Sequence, residues 1–224
     1  MPVALLEYNP PTDPYIDILY QDEHILALNK PSGLLSVPGR HKEHFDSLML
    51  RVQTVWPNAG IVHRLDMMTS GIIVMSMHKE ALRFLNRQFA ERATNKFYIA
   101  VASGHIEQDK GSIDLPLICD WPNRPKQMVC YENGKQSLTH YEVLERGNTD
   151  GNDWSRVKLI PITGRSHQLR VHLKELGHPI LGDRLYAPED IIKQADRLLL
   201  HAQRLEIKHP DTEELMVFEK ECGF

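Results

Sequence analysis

A chain of 224 residues with 42% hydrophobic and 25% charged side chains has the composition of a globular protein and enough length for a substantial core. Its net charge of −4 lacks the overall basic excess usual for nucleic-acid-binding domains, so any basic surface has to be local. No apolar run approaches the length that crosses a membrane as a helix.

Met1 to Glu7 carries no basic region and its apolar run is brief, so no secretory leader is expected. Residues 8–15, Tyr-Asn-Pro-Pro-Thr-Asp-Pro-Tyr, cannot be regular helix. Strands are predicted at Ile16–Tyr20 and His24–Asn29, after which Lys30-Pro31-Ser32-Gly33 and Pro38-Gly39 break the chain into loops. Ile72-Ile73-Val74-Met75 is a short apolar run of the kind that forms a buried strand. Glu80–Arg92 carries Leu82, Leu85 and Phe89 at helical spacing. Strands follow at Lys96–Ala102, Ser137–Leu144 and Arg156–Ile160, with Asn133-Gly134 as a hairpin-type turn before the second. Ser166–Leu176 reads as a helix with Ser166 as its N-cap, stopped by Gly177 and Pro179. Leu198–Lys208 and Leu215–Glu219 supply the last strands. Strands outnumber helices, and several are joined by hairpin-length links. The expected fold class is therefore α+β, a mixed and mainly antiparallel sheet with flanking helices. No repeat, low-complexity tract, dinucleotide fingerprint or phosphate loop is present.

Two segments concentrate the chemistry. In His63-Arg64-Leu65-Asp66-Met67-Met68-Thr69-Ser70-Gly71 a carboxylate sits on a loop at the mouth of a buried strand, where it can be held rigidly and still face a cleft. Taken alone, an Asp before Thr-Ser-Gly is more often an Asx-turn residue bonded to its own backbone. In Gly164-Arg165-Ser166-His167-Gln168-Leu169-Arg170-Val171-His172, Arg165 falls at a helix start with its guanidinium free to fork onto a carboxylate or phosphate. His167, Arg170 and Lys174 share one basic helix face, which by itself reads as an ordinary solvated face. Arg156 to Lys174 holds five Lys or Arg and no acid, while Arg83, Arg87, Arg92 and Lys96 stand against Glu91 alone. A local basic face of this kind fits a nucleic-acid cleft. His167 and His172 lack the four-residue spacing of a zinc helix, and no Cys pair completes a site, so no metal is expected. Cys119, Cys130 and Cys222 are odd in number and read as reduced thiols, consistent with a cytoplasmic protein.

Taken together, Asn29-Lys30-Pro31-Ser32-Gly33-Leu34, His63–Gly71, Lys96-Phe97-Tyr98 and Gly164–His172 resemble, in order and approximate separation, the RluA family of RNA pseudouridine synthases. Ser36–Arg40, Asp114–Lys126 and Gly177–Arg184 are similar to the short, dual-specificity members of that family. The resemblance implies isomerisation of uridine to its C-glycoside, with no cofactor or metal. It implies Asp66 as the catalytic aspartate, Arg165 as its ion-pair partner and Tyr98 as the ring stacked on the target base. Arg64 would fill the space left by the flipped base, with His63, Lys30, His167 and Arg170 as further RNA-binding residues. The implied partners are a 23S rRNA hairpin, at uridine 746, and the tRNA anticodon stem-loop, at uridine 32. The expected organisation is an N-terminal arm over 1–15 and a catalytic domain over 16–224 without an S4 domain, acting as a monomer away from membranes. The rival readings are a short family member acting on another tRNA uridine, and an RNA-binding protein with a vestigial site. A carboxylate-dependent hydrolase lacks the second acid in any recognisable motif.

Overall fold

The computed structural model describes residues 8–224; the expected lack of a leader at 1–7, and the first half of the predicted arm, lie outside them. The elements run β1 (Ile18–Gln21), β2 (Ile25–Lys30), α1 (Leu48–Gln53), β3 (Gly60–Ile61), β4 (Ser70–Ser76), α2 (Lys79–Ala90), β5 (Asn95–Ser103) and β6 (Lys110–Asp114). There follow β7 (Leu117–Cys119), β8 (Gln127–Val129), β9 (Leu138–Thr149), β10 (Asn152–Pro161), α3 (Gln168–Glu175), α4 (Glu189–Ile192), β11 (Leu200–Lys208) and β12 (Leu215–Glu219).

One sheet runs in the order β1-β2-β4-β11-β5-β10-β9-β6, with β12 on β11 and β3 on β4, while β7 and β8 form a separate two-stranded hairpin. The pairing of β4 with β11 is parallel, through Ser70–His201 and Gly71–Ala202; the other pairings are antiparallel. The expected α+β class is the observed one.

Strand β4 explains the layering. Every residue of Ser70–Ser76 is buried, and alternate side chains serve opposite faces. Ile73 and Met75 pack with Leu48 and Val52 of α1, whereas Ile72 and Val74 pack with Leu85 of α2. Leu169 and Leu173 of α3 cover Leu159, Ala100 and Leu200 further along the sheet. Tyr98 touches both the α1-side and the α3-side clusters, so those two helices flank one face and α2 covers the other.

Several boundaries differ from the sequence reading for local reasons. Helix α1 has no long apolar period, yet Ser47 caps it by accepting from the Leu50 N–H, a start signal readable in the sequence. Asn133-Gly134 does not make a hairpin turn: the Gly134 N–H bonds to the Cys130 carbonyl and Lys135 bridges to Leu117. Residues 8–15 form neither helix nor strand and are pinned to α1, with Arg51 donating to the Pro11 and Tyr15 carbonyls and Tyr8 to the Asp46 carbonyl.

Gly71 sits where the parallel pairing begins, at φ +111°, with the Ala202 backbone in the space a Cβ would need. Gly71→Ala is expected to cost roughly 3 kcal/mol, through the strained φ and the displaced strand. Urea unfolding checks this; an unchanged midpoint would show that the β4–β11 junction tolerates the methyl group.

Candidate active site

The Asn29–Ser36 segment and the loop of Asp66 are stitched together residue by residue. The Lys30 side chain is fully buried, and its Nζ donates to the carbonyls of Pro31, Leu34 and Met67 at 2.9, 2.8 and 3.0 Å. The Gly33 N–H also reaches the Met67 carbonyl, the Ser32 hydroxyl donates to Met68, and Ser36 both donates to the Leu65 carbonyl and accepts from its N–H. Asp66 is thus bracketed on both sides. Its own carbonyl accepts from the Thr69 N–H to close the turn, which leaves the carboxylate out of the turn and available to the cleft. Lys30 is therefore a buried brace, not an RNA contact. Burial pushes its pKa down to about 7, against the pull of the Asp66 charge.

The cation opposite Asp66 is Arg170. Its Nη1 lies 3.4 Å from Asp66 Oδ2, while Nε and Nη2 make a bidentate pair with Asp183 at 2.8 and 2.6 Å. The Arg170 and Asp183 side chains are 4% and 1% exposed, so neither has water to fall back on, whereas Asp66 keeps 27% of its side chain open to the cleft. Burial works against the charge on Arg170, but Asp183 and Asp66 outweigh it and raise its pKa. The expected Asp66 partner, Arg165, is elsewhere: it is exposed, and its Nε donates to the Gln136 carbonyl at 3.3 Å.

The reason is where the helix begins. His167, at φ 54°, is the residue before α3, so Ser166 is not the cap. Buried Gln168 accepts from the Arg165 N–H and the Thr163 hydroxyl, and donates to Leu138 and Thr139. These bonds hold residue 165 outside the first turn and turn residue 170 inward. Arg170 is accordingly not on a solvated basic face and is no surface RNA ligand.

His167 approaches Asp66 from the same side, with Nε2 at 3.8 Å from Oδ2. Burial is the main reason its pKa is lowered, so it is neutral. The Tyr186 hydroxyl accepts from the Gln127 N–H at 2.8 Å and lies 2.6 Å from His167 Nδ1. Burial raises the Tyr186 pKa to about 12, so this phenol keeps its proton. Tyr186 also lies under Arg170, with Cζ 5.0 Å from the ring centre.

Tyr98 is opposite Ala202 and Leu159 on its neighbouring strands. Burial, then the negative charge of Asp66, raises its pKa, so it too is a neutral phenol. Arg64 is exposed and makes no hydrogen bond or ion pair among the described residues, which leaves its guanidinium free two positions before Asp66.

His63 has a structural role. Its Nε2 accepts from the Val74 N–H at 3.0 Å, and its ring stacks on Phe89 at 4.6 Å. Burial, and then the nearby Lys96, push its pKa down to about 3. The continuous basic face expected from the sequence is divided among separate environments: Arg156 meets Glu145, Lys158 lies over Phe97, Lys174 pairs with Glu175, and α2 is on the far face of the sheet.

The arrangement is one accessible carboxylate, oriented by a buried arginine and a neutral histidine, beside a flat neutral phenol. It suits stabilisation of positive charge, or covalent attack, at a sugar or base held against the ring. Asp183, Tyr186 and Gln168 were not singled out from the sequence. Asp183 is 13 positions from Arg170 and Tyr186 is 19 from His167, separations that no helix or strand period connects.

Comparison with known proteins gives the class first. A family model described as RNA pseudouridylate synthase matches residues 24–175. A human structure titled RNA Pseudouridylate Synthase Domain Containing 1 superposes with a TM-score of 0.81 at 30% identity, covering 96% of this chain and 87% of that one. The chain belongs to the RNA pseudouridine synthase family. Among full-length relatives, the dual-specificity RNA pseudouridine synthase RluA of Escherichia coli (strain K12) is 57% identical over 222 residues, covering 99% of this chain and 100% of that protein. The protein of the same description from Vibrio parahaemolyticus serotype O3:K6 is 54% identical over 223 residues, covering 99% of this chain and 89% of its own length.

Two expectations follow. Arg170→Met should destabilise the fold by about 3–5 kcal/mol, because it leaves the Asp183 carboxylate buried and unpaired, and should slow turnover as well. Arg165→Met should leave stability within about 0.5 kcal/mol. Thermal unfolding of both variants checks this, and equal losses would contradict the assignment of Arg170 as the buried partner. For His63, the unfolded chain takes up a proton near the ordinary pKa of 6.5, which the folded protein refuses until about pH 3. Stability should therefore fall as pH drops through that window, and His63→Gln should remove part of the slope. Parallel pH–stability curves for wild type and variant would refute the neutral role.

Proposed function

We propose that this pseudouridine synthase modifies two RNAs, 23S rRNA at uridine 746 and tRNA at uridine 32 of the anticodon loop, with Asp66 as its essential carboxylate. The dual-specificity description of relatives that match over 99% of the chain supports the substrate pair. The observation that carries the site assignment is the geometry of Asp66: accessible, braced on both sides by the Lys30–Ser36 segment, and facing Arg170, His167 and Tyr98.

The reaction breaks the N1–C1′ bond, turns the base and joins C5 to C1′; C5 loses its proton and N1 gains one, so atoms balance without a cofactor. In this reading Asp66 faces the sugar and base as an ionised carboxylate, and Arg170 keeps it charged and oriented. Tyr98 presents a flat, uncharged ring for the base, and its phenol is placed to move a proton. Taking uridine out of its stack costs a few kcal/mol, least in a loop. Arg64 offers a planar cation to occupy the vacated space. The enzyme works as a monomer in the cytoplasm.

Asp66→Asn should abolish tritium release from RNA labelled at uridine C5 while leaving affinity for an anticodon stem-loop within about 1 kcal/mol of wild type. Retained release in the variant would remove Asp66 from the mechanism. Release from the anticodon stem-loop but not from the rRNA hairpin would reduce the proposal to a single substrate.

A further inference from the structure

We propose that Arg197, together with His201, holds the Ser70 hydroxyl and so positions the turn of Asp66 against the turn of Asp183 for the isomerisation. The proposal rests on Asp66 as the essential carboxylate and adds Ser70, Arg197 and His201 as positioning residues.

The Thr69 N–H closes the turn on the Asp66 carbonyl, and Ser70 is the next residue, buried at the start of β4. Its hydroxyl oxygen accepts from Arg197 Nη1 at 2.9 Å and lies 2.8 Å from His201 Nδ1. The far side of the imidazole sets the direction of that second bond. His201 Nε2 is 2.9 Å from the Lys220 carbonyl, and a carbonyl can only accept, so Nε2 carries the proton. Burial is the main reason the His201 pKa is lowered, so the ring is neutral and Nδ1 accepts from Ser70. One hydroxyl therefore gives its proton to His201 and receives one from Arg197. Loss of either partner would leave a buried polar group unmet where the Asp66 turn joins the sheet.

Arg197 also supports the other half of the site. Gly182, at φ +73°, precedes Asp183, and a Cβ there would run into the Arg197 backbone carbonyl. The main chain of residue 197 thus packs on the turn that presents Asp183 to Arg170, while its side chain secures the turn that presents Asp66. Two charged groups act on the buried Lys30 ammonium as well: Asp66 favours its charge and Arg197 opposes it. The Arg197 guanidinium lies over the Phe224 ring, 5.0 Å from its centre, and the Phe224 backbone oxygen accepts from Arg156 Nη1 at 2.6 Å. Lys220 and Phe224 are therefore tied to this corner through His201, Arg197 and Arg156. A small displacement of a reacting carboxylate lowers a rate steeply, so a joint that fixes both turns acts on the chemistry without touching substrate.

The test uses the full chain and an anticodon stem-loop labelled with tritium at uridine C5, at a temperature where unfolding curves show every variant folded. Ser70→Ala and Arg197→Met should each lower kcat by about tenfold or more, with RNA affinity within about twofold of wild type. Arg197→Met also removes the repulsion on Lys30, so Lys30 should hold its proton to higher pH and the alkaline fall in kcat should move up. Arg197→Lys restores the charge and should bring that limb back toward wild type, a response that a packing support would not give. Unchanged kcat in both Ser70→Ala and Arg197→Met, or a loss that only follows the folded fraction, would overturn the positioning role. Asp66→Asn, assayed alongside, tests the parent reading separately: release by that variant counts against the catalytic aspartate, not against Arg197. If the wild type released no tritium, the substrate would be at fault, and the Lys30 titration followed by NMR would still decide the coupling. A titration that stays in place in Arg197→Met would overturn it.

Discussion

The structure of the site depends on one buried cation shared by two carboxylates. Arg170 cannot lie almost wholly out of water without a counter-charge, and Asp183 supplies it through a two-pronged contact. That leaves one nitrogen for Asp66, at a longer 3.4 Å. The unequal division suits the task. The short pair anchors the guanidinium, while the long contact orients Asp66 without enclosing it, so the carboxylate remains accessible to a substrate. Asp183 is itself placed by the turn that follows Gly182, where its carboxylate also accepts from the Leu185 and Tyr186 N–H groups.

The second requirement is a loop that does not move. Asp66 lies between the short strand β3 and the buried strand β4, in a segment with no regular backbone ladder of its own. Its backbone groups are met by Lys30, Ser32, Gly33 and Ser36 from across the β2–β4 pairing. The segment from Asn29 to Ser36 is therefore a scaffold for the Asp66 loop, although its lysine resembles an RNA ligand in the sequence. A buried ammonium with three carbonyl acceptors satisfies all its donors and spans three stretches of chain at once.

The local electrostatics explain how a protein of net charge −4 can act on a polyanion. Near the Asp66 carboxylate, Tyr98, Tyr186 and His167 are held neutral, chiefly by burial, and the charge is left to Asp66 and Arg170. The exposed basic groups Arg64, Arg165 and Arg124 lie on loops and not on one helix face. Positive potential concentrated at loops can meet phosphates locally while acidic residues elsewhere set the total.

The fold class, the buried strand at Ile72–Met75, the helix near Glu80–Arg92 and the last strand at Leu215–Glu219 were legible because each depends on local periodicity. Asp66, Tyr98 and Arg64 stood out as candidates because they belong to compact motifs. The partner of Asp66 did not. Arg165 and Arg170 are five residues apart, and sequence assigns both to one basic segment. Which of them turns inward is decided by the side chain of Gln168, bonded to Thr163, Leu138 and Thr139 across β9 and β10. Short elements such as α1, β7 and β8 also escaped, since two or three apolar residues establish no period. The sequence by itself determined the fold class, the family and the carboxylate around which the candidate site is built. Tertiary structure alone decided which basic side chains are buried braces and which remain free for RNA, because burial is set by residues distant in the chain that compete for the same hydrogen bonds and the same water-free space.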